Sequence, residues 1–213
     1  MQHFAKGLLF DNDGVLSDSL ASVDAAWGKW SEIYAPDFVI SFTHHGRRAQ
    51  EIIRDLLPDD QFEEAHNLIN QLEIELTHLT KPMPGAIELT SSAPAGTWTV
   101  VTSATPALAV ARLNKAGIKI PAELVTGNDV TNGKPSPEPY LVAAEKLAIP
   151  IAECVVFEDA PNGIEAGRRS GAGLVVGVGS EALETDADIV VKSLLGITFD
   201  GNQLSIPEQI RLR

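Results

Sequence analysis

Cysteine is nearly absent from this chain: Cys154 is the only one in 213 residues. No internal disulfide can form and no cysteine cluster can hold a metal, so thiol chemistry does not organise the fold. Cys154 lies in the apolar run ECVVF, where a thiol behaves as a small hydrophobe, and a buried core position is expected. Positive charge is also scarce, with 16 Lys and Arg against 29 Asp and Glu, a formal net charge of −13. The resulting field repels polyphosphate backbones, which argues against nucleic acid or an anionic membrane as partner but leaves room for a small anion held by local groups. Long apolar runs are missing too. Nowhere do about 18 consecutive apolar residues occur, and MQHFAKGLLFDND reaches acidic residues after a short apolar stretch, so neither a membrane span nor a leader is expected and the compartment is read as cytoplasmic.

What is present suits a globular protein with a large core. Hydrophobic residues make up 44% and charged residues 21%, compatible with one or two domains. Short apolar runs bounded by turn residues recur: GLLF at 7–10, TWTVVT at 97–102, ELVTG at 123–127, CVVFED at 154–159, GLVVGVG at 173–179 and ADIVVKS at 187–193. Most are continuous rather than alternating, which fits parallel strands covered on both faces. Helical patterns fall between several of them. Thr105-Pro106 can open a helix through ALAVARLNKAG, with Thr105 as N-cap and Gly117 past its end; SPEPYLVAAEKLAI and APNGIEAGRRSGAG repeat the motif of Pro near the start, Gly171 closing the latter. Strand and helix in alternation predict an α/β, doubly wound parallel sheet.

Residues 19–81 break that rhythm. Leu20, Val23, Trp27, Trp30 and Tyr34 fall at helical spacing, as do Phe62, Ala65, Ile69, Leu72, Leu76 and Leu79, and no strand pattern intervenes. A helical insertion is expected here, its tryptophans packing its own core, with Lys81-Pro82-Met83-Pro84-Gly85 as the return hinge. The expected organisation is therefore an α/β core from 1–18 and 82–213 and a small all-helical cap from 19–81. Near the C-terminus, GITFDGNQLSI carries an Asp-Gly turn between short apolar segments and reads as an edge hairpin.

Chemistry gathers where the strands end. In a parallel α/β sheet, ligands bind beyond the carboxyl ends of the strands, and Asp11 and Asp13 stand there after GLLF. Two carboxylates this close repel each other unless cations are near, and a divalent cation would supply that charge. A carboxylate can also attack phosphorus while a neighbouring acid protonates the leaving group. TWTVVTSAT ends in Ser103-Ala104, just before a helix whose free N–H groups favour a phosphate. Lys134, in GKPSPEPYL, offers an ammonium, and Glu158-Asp159 supply hard oxygen ligands suited to Mg²⁺.

The stretches DNDGVLSDS, VVTSAT, GKPSPEPYL and VFEDAPNGIEAG resemble, in order and spacing, the four motifs of the haloacid dehalogenase-like phosphohydrolases with a helical cap after the first motif. The resemblance implies Asp11 as nucleophile, Asp13 as general acid and then base, Ser103 on the phosphoryl group, and Lys134 between that group and Asp11. It implies Mg²⁺ on Asp11, the Asp13 backbone carbonyl and Asp159, with Glu158 in support. Dehalogenases of the same superfamily lack the second aspartate, so Asp13 favours phosphoryl transfer; Asn12 is given no chemical role.

Within the insertion, FTHHGRRAQEII contains His44-His45-Gly46-Arg47-Arg48. Guanidinium groups bind phosphate or sugar hydroxyls through several fixed donors, so His45, Gly46, Arg47 and Arg48 join Ser103, Ala104 and Lys134 as candidate substrate contacts, with a solvated basic helix start as the alternative. His3, His66 and His78 stand isolated and are expected at the surface or in packing. The combined motifs resemble sugar- and polyol-phosphate phosphatases of the 2-deoxyglucose-6-phosphate and glycerol-3-phosphate type. The resemblance implies a small phosphate ester as partner, and the cap suggests a monomer closing its own site. A β-phosphoglucomutase-like phosphomutase and an inactive binding module on the same scaffold stay open as alternatives.

Overall fold

The computed structural model describes residues 1–213, the side chain of Phe42 excepted. In chain order the elements are β1 (Gln2–Phe4), β2 (Gly7–Phe10), β3 (Ser17–Asp18), α1 (Leu20–Tyr34), α2 (Ala49–Leu56), α3 (Asp59–Glu75), β4 (Lys81–Pro82), α4 (Ala86–Ser92), β5 (Trp98–Val100), α5 (Pro106–Lys115), α6 (Glu138–Leu147), β6 (Cys154–Glu158), α7 (Pro161–Ser170), β7 (Leu174–Val178), β8 (Ile189–Val191), β9 (Thr198–Phe199) and β10 (Gln203–Ser205). No described helix is long and apolar enough to cross a membrane.

A five-stranded sheet in the order β5-β2-β6-β7-β8, parallel throughout, forms the centre. Its continuous apolar strands are buried on both faces, as the run pattern predicts. On one face Phe10 stacks on Phe157, ring centres 4.9 Å apart, within a cluster that includes Val100, Val176 and Leu89; on the other, Leu9, Val156, Tyr140 and Ile164 pack together with buried Cys154. Register sets which polar groups meet at the sheet's edge. Phe10 pairs with Val100 and Phe157, so the next residues, Asp11, Val101 and Glu158, emerge side by side at the carboxyl end.

Several sequence expectations need correction. ELVTG is not a strand: Val125 makes only an isolated bridge to Val101, because Asp129 accepts the Thr126 N–H and hydroxyl and turns the chain away. Thr105 stands at the N-cap of α5 without a side-chain cap bond; Thr102 Oγ1 accepts the Ala104 N–H instead, 3.1 Å away. Lys81-Pro82, at the start of the expected return hinge, pairs antiparallel with Ser17-Asp18, so the chain leaves for α1 and returns from α3 through a two-stranded ribbon. The C-terminal hairpin is present as β9–β10, its Asp200 carboxylate accepting the Asn202 and Gln203 N–H groups. Its third strand, β1, went unread because three residues with the pattern QHF carry no periodicity.

Helices α1, α2 and α3 build a separate apolar cluster around Trp27, Trp30, Ile53, Ala65 and Ile69. Trp30 is fully buried against Trp27, Tyr34 and Phe38, and its Nε1–H donates to the Ala65 carbonyl at 2.9 Å. The indole thus fills volume and satisfies a helix carbonyl at once. Trp30→Ala is expected to lower stability by about 3–5 kcal/mol, and Trp30→Phe, which keeps a ring but orphans the Ala65 carbonyl, by about 1–3 kcal/mol. Urea unfolding followed by far-ultraviolet circular dichroism measures both.

Candidate active site

The carboxyl edge of the sheet is organised around one cation. Lys134 Nζ lies 2.6 Å from Asp11 Oδ1, 2.7 Å from Glu158 Oε1 and 3.0 Å from the Val101 carbonyl, with the side chain essentially sealed from solvent. Burial pulls the ammonium's pKa down, but Asp11 and Glu158 outweigh it and hold Lys134 above its usual value, so it stays charged. Tyr140 donates its hydroxyl to Glu158 Oε1 at 2.9 Å, and burial together with Glu158 keeps that phenol protonated. Glu158 Oε2 accepts the backbone N–H groups of Asp159 and Ala160. With two donors on each oxygen, Glu158 is filled, and Gly163 is required opposite it because any Cβ there would run into the carboxylate.

Asp11, Glu158 and Asp159 offer oxygens within 4.8 Å of one another. Burial pushes the Asp11 carboxyl up to about 8 against the pull of Lys134, with Glu158 and Asp13 adding to the rise. Asp159 is driven well above the carboxylate range by burial, then by Glu158 and Asp11. A single ammonium leaves this cluster short of positive charge, and a hard dication fits its all-oxygen donor set. Asp11 and Asp159 face the cavity, while Glu158 stands behind it with its lone pairs taken. Glu158, expected in support of the metal, belongs to this acidic group and also holds Lys134. Gly14, at φ +86°, passes so close to the Asp159 carboxylate that a side chain would not fit.

Asp13 sits one turn further out. The Asn12 carbonyl accepts the N–H groups of Leu16 and Ser17, and its side chain accepts the Ser17 hydroxyl, which gives Asn12 a structural task in the turn. Asp13 Oδ1 accepts Ser19 Oγ–H at 2.6 Å and faces Arg112 Nη1 at 3.1 Å. Arg112 Nη2 also donates to Glu73 Oε1 at 3.1 Å, and both Arg112 and Glu73 are buried.

These groups border a cavity of about 670 Å³ between the sheet edge and the helical insertion. Ser103, Ala104, His45, Gly46, Arg47 and Arg48 all line it, as does Trp27, which serves the insertion's core as well. Ser103 Oγ donates to the Gly46 carbonyl at 2.6 Å. The two guanidinium groups are already engaged: Arg47 with Asp55 at 2.7 Å, and Arg48 with Glu51 and the carbonyls of Gly127, Val130 and Thr131. Asn162 donates to the His45 carbonyl, completing the seam between loop and core. His45 is half buried, which lowers its pKa. His66, expected to be incidental, lines the cavity with Asn70 and Glu73 of α3. Sequence reading missed Tyr140, Ser19, Arg112 and Glu73. The last two carried one faint signal, a charge set within helical segments whose neighbours are apolar.

Comparison with known proteins agrees with this geometry. The haloacid dehalogenase-like hydrolase family matches residues 5–171. Hexitol phosphatase A of Escherichia coli K12 is 38% identical over 91% of this chain and 93% of its own, and glycerol-1-phosphate phosphohydrolase 2 of Saccharomyces cerevisiae is 34% identical over 91% and 84%. Among solved structures, a hydrolase from Pseudomonas syringae superposes with a TM-score of 0.77 at 29% identity, covering 89% of this chain and 94% of that one. A β-phosphoglucomutase from Clostridium difficile shares the fold at 22% identity and a TM-score of 0.76, over 89% and 92%. The strand-end carboxylates, the buried lysine and the matched family together lead to one conclusion: the chain belongs to the haloacid dehalogenase-like hydrolases.

Proposed function

We propose that the chain is a Mg²⁺-dependent phosphatase that hydrolyses small sugar or polyol phosphate monoesters through an aspartyl-phosphate on Asp11, acting as a monomer. The observation that carries this reading is the buried Lys134–Asp11 pair, 2.6 Å long, beside a cavity with Asp13 at its edge. A nucleophile, a fixed cation and an acid share one site.

In the proposed reaction the Asp11 carboxylate attacks phosphorus. The bond from phosphorus to the ester oxygen breaks, its electron pair stays on that oxygen, and Asp13 protonates it, so a neutral alcohol leaves. Asp13, now ionised, takes a proton from water; the oxygen attacks phosphorus, the acyl-phosphate bond breaks with its electrons returning to Asp11, and inorganic phosphate departs. Lys134 offsets the charge shared between phosphoryl group and Asp11, while Ser103, with Ala104 beside it, receives the phosphoryl oxygens. Asp11, Asp159 and the backbone carbonyl of Asp13 would hold Mg²⁺, which would supply positive charge to the transferring group. Residues 19–81 act as a cap over residues 1–18 and 82–213, with the loop at His45, Gly46, Arg47 and Arg48 facing the organic part of the substrate.

The relatives support the substrate class. Hexitol phosphatase A, the glycerol-1-phosphate phosphohydrolases and the 2-deoxyglucose-6-phosphate phosphatases are named for esters of polyols and sugars, which favours water over a second sugar as acceptor. An inactive scaffold would have no need of so costly a buried charge cluster.

Phosphate release from a panel of hexitol, pentitol, glycerol and hexose phosphates is expected with Mg²⁺ and not with EDTA; conversion of glucose 1-phosphate to glucose 6-phosphate without phosphate release would overturn the hydrolase reading. Asp11→Asn is expected to bring the rate down to background with the circular dichroism spectrum unchanged, and Asp13→Ala to cost about 10²–10⁴-fold on alkyl phosphates. Mg²⁺ at about 100 times its Kd is expected to stabilise the protein by about 2.7 kcal/mol, read as a rise in Tm that Asp159→Asn abolishes.

A further inference from the structure

Arg112 is the charged group that the phosphate chemistry leaves without a task. It projects from α5, 3% exposed, and bridges two carboxylates from different parts of the chain: Asp13 of the β2–β3 turn and Glu73 of α3, each at 3.1 Å. Stability is a weak reason for such an arrangement. Buried ion pairs scarcely outperform apolar residues of the same volume once desolvation is counted, and here Arg112 Nε is left with no partner among the described residues. What the arrangement does achieve is geometric. Arg112 Nη1 and Ser19 Oγ converge on the same oxygen, Asp13 Oδ1, from two directions. A carboxyl whose Oδ1 accepts from two donors cannot rotate freely about its Cβ–Cγ bond. Glu73 in turn fixes the guanidinium, because its Oε1 accepts from Nη2 while Nη1 addresses Asp13.

We infer that Arg112 is a positioning residue for the proposed acid: with Ser19 it clamps Asp13 so that Oδ2 presents the proton to the leaving oxygen, and Glu73 makes that clamp depend on α3 being seated against α5. The inference rests on the reading of Asp13 as general acid. Glu73 and Arg112 both line the cavity, so the clamp lies where the ester's organic half would sit and is assembled from the insertion and the core together. Substrate enclosure and readiness of the acid then become one event.

The experiment compares leaving groups. A sugar-alcohol phosphate needs a proton on its departing alkoxide, whereas p-nitrophenyl phosphate releases a stable phenolate without one, and kcat/KM for each reports steps up to loss of that group. Arg112→Met, close in volume, is expected to lower kcat/KM on hexitol phosphate about 10²-fold while changing it less than a few-fold on p-nitrophenyl phosphate. Glu73→Gln is expected to shift the same ratio in the same direction by less. Arg112→Lys carries the same comparison should Arg112→Met not fold. Equal losses on both esters would reduce Arg112 to a packing residue and overturn the inference. Asp13→Ala separates the two levels: if it discriminates between the esters and Arg112→Met does not, the clamp alone is wrong; if it fails to discriminate, the acid assignment is wrong and the clamp falls with it.

Discussion

One buried ammonium is the constraint around which the site is built. Lys134 is held by Asp11, Glu158 and the Val101 carbonyl, so three neighbouring strand ends are tied to a single charge. Removing that charge would leave two sealed carboxylates facing each other with only hydroxyl and amide donors to answer them, a far larger cost than a surface ion pair could impose. The parallel register makes the arrangement possible, because Asp11, Val101 and Glu158 emerge level with one another. Fold and chemistry thus meet in the pairing of Phe10 with Val100 and Phe157.

Around that charge, space is as tightly managed as polarity. Gly14 and Gly163 are small because carboxylates occupy the volume their side chains would need, so the two acidic positions at the end of β6 are each backed by a bare backbone. Tyr140 contributes from α6 and closes the apolar side of Glu158. The insertion then roofs the cavity, held down by Arg48 on the carbonyls of Gly127, Val130 and Thr131 and by Asn162 on the loop backbone. These seam contacts are polar and partly exposed, whereas the three-helix cluster of the insertion is apolar and buried.

Much of this was legible in the sequence where chemistry and periodicity coincide. Apolar runs mark all five strands of the central sheet, and Asp11, Asp13, Ser103, Lys134 and Asp159 stand out as candidates because each comes after such a run or sits in a Gly-Pro-rich loop. What escaped notice depends on distance along the chain. Tyr140 and Glu158 are 18 residues apart, Arg112 and Glu73 39, and nothing local in either segment announces the partner. ELVTG misled for the opposite reason: its composition suits a strand, but the Asp129 side chain captures the hydrogen bonds that a strand would have used. Arg47 and Arg48 read as free donors, but Arg47 pairs with Asp55, and Arg48 pairs with Glu51 three residues on and reaches the carbonyls of the distant core loop.

The hydrogen bond from Ser103 to the Gly46 carbonyl has a bearing on turnover. In the proposed reaction this hydroxyl greets the phosphoryl group, yet the loop already engages it. Each arriving phosphate must therefore evict a tethered rival, present at the high effective concentration that covalent connection confers. Substrate and inorganic phosphate are handicapped alike at entry, and the same rival stands ready to reclaim the hydroxyl when hydrolysis is done.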